Sequence, residues 1–148
     1  MKIDRRNMLR SLLAVAATLA FPKILFAARA DKAFKATTSD EAIAELLGAV
    51  PTASDKVHMK IPDIAENGAV VPVTVSTDLE DVESISVVVD NNPTPLAASF
   101  DMSPKTVAVI SVRIKMGQSS NVRAIVKAGG NLYSTSKEVK VTICGCGG

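Results

Sequence analysis

The run Val107-Ala108-Val109-Ile110-Ser111-Val112-Arg113-Ile114-Lys115-Met116 alternates along most of its length. Ala108, Ile110, Val112, Ile114 and Met116 fall on one set of positions, with Ser111, Arg113 and Lys115 between them. Successive side chains of a strand point to opposite faces, so this is a strand with one face in a core and the other in water. Val122, Ala124 and Val126 repeat the pattern, as do Val139, Val141 and Ile143. Turn residues punctuate the runs at Glu66-Asn67-Gly68, Asn91-Asn92-Pro93, Ser103-Pro104, Gly117-Gln118-Ser119 and Gly129-Gly130-Asn131. The spacing predicts strands near 57–61, 69–76, 84–90, 97–102, 107–116, 121–127, 131–134 and 138–143. Short half-buried strands with no helices between them indicate an all-β domain, an antiparallel β-sandwich.

One segment before the strands reads differently. Thr38 and Glu41 have the spacing of a capping box, and Asp40 and Glu41 put negative charge in a first turn. Ile43, Leu46, Leu47 and Val50 recur at helical spacing before Gly48 and Pro51 end the pattern, which predicts a short helix over about 39–48. The core must be aliphatic, because the chain has no Trp, one Tyr and four Phe. Val70, Val71, Val73 and Val75, with Val87, Val88 and Val89, read as apolar on both strand faces. Such runs need cover on both sides, from the helix or from a second subunit, and the expectation here is a second subunit.

Residues 1–30 stand apart from the fold. A basic stretch carries Lys2, Arg5, Arg6 and Arg10, an apolar one follows from Leu12 to Phe21, and Ala28-Arg29-Ala30 supplies small residues for a signal peptidase. The apolar part stops at Pro22-Lys23, short of the roughly 20 residues a membrane span needs. Arg5-Arg6-Asn7-Met8-Leu9-Arg10 resembles the twin-arginine export consensus, with Met8 where Phe is commonest; such a signal addresses folded cargo to the periplasm. Cleavage after Ala30 leaves one domain, residues 31–148. The leader holds six of the 17 Lys and Arg and one of the 15 Asp and Glu, so the remainder carries 11 basic and 14 acidic residues, a net −3. Nothing basic then remains to suggest nucleic-acid binding.

The chemistry lies at the other end, in Ile143-Cys144-Gly145-Cys146-Gly147-Gly148, which holds the chain's two cysteines. Gly145, Gly147 and Gly148 add no side-chain bulk and few backbone restrictions, so Cys146 is expected on a slender arm that can enter a narrow cleft. A thiolate forms persulfide, disulfide or S-sulfonate bonds. No histidine or carboxylate stands nearby in sequence to serve as a base, as a self-sufficient cysteine hydrolase would require. The arm therefore reads as a carrier without enzymatic activity of its own.

This tail is similar to the Gly-Gly-Cys-Gly-Gly terminus of the SoxY family. The likeness continues upstream through Ile64-Ala65-Glu66-Asn67-Gly68-Ala69-Val70-Val71-Pro72-Val73, Asn91-Asn92-Pro93-Thr94-Pro95 and Val112-Arg113-Ile114-Lys115-Met116, and takes in the export signal and the helix. The resemblance implies an immunoglobulin-like sandwich, a heterodimer with a SoxZ-like subunit, and sulfur carried covalently on Cys146 without a cofactor. It implies a haem enzyme, SoxAX, that joins thiosulfate to the cysteine, SoxB that releases sulfate, and in some organisms SoxCD that oxidises the remaining sulfur. Cys144 departs from the pattern by replacing the first glycine. It is either a tolerated change or an accessory thiol able to attack sulfur bound at Cys146.

Two other readings compete. Cys144 and Cys146 could hold Cu(I) through soft thiolates, with Met102 or Met116 assisting and His58 as the single histidine. A plain structural or adhesion domain accounts for the sandwich but leaves the tail unexplained. Arg113, Lys115 and Arg123 form either a cationic face toward an anionic sulfur group or an ordinary solvated strand face.

Overall fold

The computed structural model describes residues 31–142, so the expected leader and residues 143–148, with Cys144 and Cys146, lie outside the described residues. Residues 31–35 are helical, and helix α1 (Ser39–Leu47) follows. Nine strands come next: β1 (Thr52–Ala53), β2 (Val57–Lys60), β3 (Ile64–Ala65), β4 (Val71–Thr77), β5 (Val82–Val89), β6 (Leu96–Asp101), β7 (Val109–Ile114), β8 (Ser120–Ala128) and β9 (Asn131–Val141). They make two sheets, one in the order β1-β9-β8-β5-β6 with β3 also on β9, the other β2-β4-β7. The longer pairings are all antiparallel; β1 and β3 each add a two-residue parallel pairing to β9. The predicted β-sandwich is the observed fold, and an immunoglobulin-like description is consistent with it.

The alternation in the sequence becomes the core. Val71, Val73 and Val75 of β4 and Ile110 and Ile114 of β7 meet Ile85, Val87 and Val89 of β5 and Val122, Ala124 and Val126 of β8. Each buried valine or isoleucine is worth about 1.5–3 kcal/mol over its exposed state, so this aliphatic layer needs no aromatic centre. Between β8 and β9 the two-residue turn Gly129-Gly130 has φ of 53° and 77°. Positive φ at both positions of such a hairpin suits glycine, which has no Cβ to clash.

The doubly apolar runs resolve differently from the expectation. On β5, Val87 and Val89 face the other sheet, while Val88 faces outward into a second cluster with Ala33, Ala36, Ala42, Ile43, Leu96 and Ile125. The chain's own helical segment therefore covers that face. On β4 the run simply alternates: Val71, Val73 and Val75 are buried, Pro72 is exposed and Thr74 half-buried, and Val70 precedes the strand half-exposed.

Helix α1 keeps its predicted cap. Thr38 Oγ1 accepts the Glu41 N–H at 3.2 Å, Glu41 Oε2 accepts the Thr37 N–H, and Gly48 ends the helix at φ 76°. Val50 lies beyond that stop and is 89% exposed, so it does not join the apolar face. Arg123 on β8 ties the helix to the sheet. Its guanidinium reaches Asp40 Oδ1 (3.1 Å) and Ser39 Oγ (3.1 Å) on α1 and Asp90 Oδ1 (2.8 Å) at the end of β5. Burial works against this charge, but the two carboxylates more than offset it and raise the guanidinium pKa.

The predicted segment 131–134 and residues 138–141 of the second belong to one strand, β9, paired with β8 without interruption from Asn131 to Val139. The polar Ser134-Thr135-Ser136-Lys137 stretch reads as a break by hydropathy, yet a backbone ladder does not require apolar side chains. The short β1 and β3 carry no periodicity that two residues could display.

Candidate functional site: the root of the cysteine-bearing arm

Strand β9 carries the chain toward the tail, and its last residues are held by three loops that are distant in sequence. Successive backbone N–H groups of a strand point to opposite sides, so the two sides of β9 need separate partners. On one side β3 runs parallel to it, with Ile64 beside Lys140 and Ala65 beside Val141. The Asp63 carbonyl accepts the Lys140 N–H at 2.9 Å, and the Ala65 carbonyl accepts the Thr142 N–H at 3.1 Å. Lys137 Nζ reinforces this side through Asp63 Oδ1 (2.8 Å) and the Ile61 carbonyl (3.1 Å).

On the other side β8 has already ended, since its first residue, Ser120, sits opposite Val139. The Val141 N–H donates instead to Ser119 Oγ at 2.9 Å. A side-chain hydroxyl thus extends the ladder past the end of the neighbouring strand.

That turn is itself clamped. Asn91 N–H donates to Ser120 Oγ (2.9 Å), Asn91 Nδ2 to the Ser119 carbonyl (3.0 Å), and Gln118 Nε2 to the Asn91 carbonyl (3.1 Å). Asn92 uses both ends of its amide, donating to the Lys115 carbonyl at 2.7 Å and accepting the Gly117 N–H at 3.1 Å. A carboxylate, which only accepts, cannot replace it. The β5–β6 loop is closed in turn by Val89 N–H on the Pro95 carbonyl at 2.8 Å.

Gly68 completes the platform. Its carbonyl accepts the Met116 N–H at 2.6 Å. A β-carbon there would stand 2.8 Å from Val141 Cγ1 and closer still to the Met116 carbonyl oxygen. Glycine is needed here for close approach, with no positive φ involved.

The three upstream segments of the sequence resemblance thus meet at one place. Ala65 and Gly68 come from the first, Asn91 and Asn92 from the second, and Lys115 and Met116 from the third. Sequence reading marked Asn91-Asn92-Pro93, Glu66-Asn67-Gly68 and Gly117-Gln118-Ser119 only as turns and missed that they converge on Val141. The available signal was that each turn lies in or beside a resemblance segment.

The other candidates scatter. Arg113 on β7 and Lys115 just beyond it are exposed and line an open groove of about 500 Å³ with Asn92, Pro93, Thr94 and Gly117. Arg123 is on the other sheet, engaged with Asp40 and Asp90, so the three cations do not form one face. Met116 is core, 2% exposed, and Met102 packs against the core half-buried. His58 Nε2 lies 2.6 Å from Asp78 Oδ2 on the exposed side of β2. Among the described residues no group of three or more His, Cys, Asp or Glu could hold a metal, and no helix is long and apolar enough to cross a membrane.

The described residues form a small β-sandwich whose last strand is held on both sides at its end, by Ser119 and by Ala65. Residues 43–146 match the family model described as sulfur oxidation protein SoxY, a match that runs through to Cys146. Among solved structures, the sulfur carrier protein SoxY from Chlorobium limicola f thiosulfatophilum is 44% identical, covering 70% of this chain and 96% of that one, with a TM-score of 0.64. The chain belongs to the SoxY family. A superoxide reductase (neelaredoxin) from Ignicoccus hospitalis shares the fold alone, at 14% identity and a TM-score of 0.56 over 62% of this chain and 95% of that one. Comparison with curated proteins gives no match.

Proposed function

We propose that this protein is a sulfur carrier of periplasmic thiosulfate oxidation, holding its intermediates covalently on Cys146 and presenting them to partner enzymes. The observation that carries the reading is the family match through Cys146, five residues beyond an anchored Val141. In loading, the Cys146 thiolate and the terminal sulfur of thiosulfate form an S–S bond, and two electrons pass to a haem oxidant of the SoxAX type. Water then cleaves the adduct at a SoxB-like enzyme, releasing sulfate and two protons and leaving a persulfide on Cys146. A SoxCD-like enzyme oxidises that sulfur where one is present. Joining two reduced sulfurs removes two electrons, so an oxidising enzyme must drive loading.

Gly145, Gly147 and Gly148 keep the arm thin, and carriage needs Cys146 but not Cys144. Twin-arginine export with cleavage after Ala30 delivers the folded chain to the periplasm. A SoxZ-like subunit pairs with it, burying on the order of 1,200–2,000 Å². Phe100 on β6 and Val109 on β7, both edge strands, and the neighbouring Val107 leave apolar side chains exposed for such a partner.

Intact-protein mass spectrometry of material from thiosulfate-grown cells tests the reading. Cys146→Ser should carry no reducible sulfur adduct and support no sulfate production, while Cys144→Gly should keep both. Thiosulfate oxidation by Cys146→Ser at the wild-type rate would refute it.

A further inference from the structure

We infer that Ser119 is a positioning residue for the carrier arm: its hydroxyl holds the end of β9 on the side opposite β3 and so limits the reach of Cys146. The inference rests on the carrier reading and adds to it a residue outside the tail. Ser119 is an exposed turn residue whose side chain contributes nothing to either apolar cluster. Its Oγ accepts the Val141 N–H at 2.9 Å where β8 no longer supplies a backbone acceptor. The Asn91 amide holds the Ser119 carbonyl at 3.0 Å, and Asn92 braces the same turn at Lys115 and Gly117. A rigid loop therefore aims one hydroxyl at the last amide of β9.

The consequence is geometric. From Thr142 to Cys146 the chain advances four residues, at most about 14 Å when extended. Without the Ser119 hydroxyl the end of β9 is held on the β3 side alone, through the Ala65 carbonyl at Thr142, and as that contact frays the arm grows from four residues to six. The effective concentration of a tethered group falls roughly as the −3/2 power of tether length or more steeply, which gives a drop of about two- to threefold inside a partner's cleft. The thiol's own chemistry is untouched.

The test uses the full exported protein in a Cys144→Gly background, so that one thiol is read. Tetrathionate loads Cys146 directly: the thiolate attacks a sulfane sulfur, the S-thiosulfonate adduct forms, and thiosulfate leaves. The loaded protein is then the substrate of a purified SoxB-like hydrolase, with sulfate as the readout. Ser119→Ala should load with tetrathionate at the wild-type rate, exchange its Val141 amide at least about tenfold faster, and lose about two- to threefold in kcat/KM for sulfate release. Ser119→Thr keeps the hydroxyl and should restore both values, which a loss of general stability would not predict. Ser119→Gly deletes the same hydroxyl and should repeat the Ala result. Faster Val141 exchange with unchanged kcat/KM in both deletion variants overturns the inference and leaves the carrier reading standing. No sulfate from loaded wild type overturns the carrier reading and the inference together.

Discussion

Gly68→Ala is the substitution that the platform should tolerate least, and its cost can be worked from the contacts. The new methyl would stand 2.8 Å from Val141 Cγ1 and nearer than that to the Met116 carbonyl oxygen. The valine can turn its side chain, but the carbonyl belongs to backbone pinned on both flanks, by the Gly68 carbonyl at Met116 N–H and by Asn92 at Lys115 and Gly117. Overpacking of this kind costs about 1–3 kcal/mol. Stretching the Met116–Gly68 hydrogen bond adds about 1 kcal/mol. Alanine also restricts the unfolded chain, which returns about 0.4–1 kcal/mol. The net loss is about 1–3.5 kcal/mol, or roughly 4–14 °C in Tm at about 4 °C per kcal/mol for a domain of this size. Urea unfolding followed by circular dichroism measures the first figure and a thermal scan the second. Hydrogen exchange should also show faster turnover at Val141 and Thr142 than at Val122 or Val126 in the core. A variant within 0.5 kcal/mol of wild type would mean that the β3, β4 and β7 segments do not close on β9 as described.

Three further outcomes are expected. Arg123→Ala removes the cation shared by Asp40 and the mostly buried Asp90, and should cost about 1–2 kcal/mol in urea unfolding, with the helix loosening ahead of the sheets in a protease-susceptibility assay. Glu83 is held below the usual carboxylate range by Lys127 Nζ at 2.6 Å and the Gly130 N–H at 2.9 Å. A depressed folded-state pKa contributes stability above the unfolded value and loses it as pH falls through the folded one, so Glu83→Gln should flatten the stability decline measured from about pH 6 to about pH 3. Replacing Arg5 and Arg6 with lysine should retain precursor in the cytoplasm, and mass spectrometry of periplasmic wild type should find Asp31 at the N-terminus; normal export of the variant would remove the twin-arginine proposal.

Local chemistry made much of this protein legible. The period-2 pattern at 107–116 and 121–127 reports burial directly, because a strand's side chains take sides by parity. Thr38, Glu41 and Gly48 announce a helix through groups that lie within a turn of one another. What parity cannot report is which surface covers an outward-facing valine. Val88 meets Ile43 across a gap of more than forty positions, and only the folded chain decides that a helix rather than another subunit fills the space. The same limit hid the site. Cys146 was visible as a thiol among glycines, since its chemistry is a property of the residues themselves. Gly68, Asn92 and Ser119 read as ordinary turn residues because turn propensity is local. Their task, bracing the end of β9, exists only after β3, β5, β7 and β9 have brought their ends together, and no pattern along the chain encodes a hydrogen bond from Val141 to a serine 22 residues away.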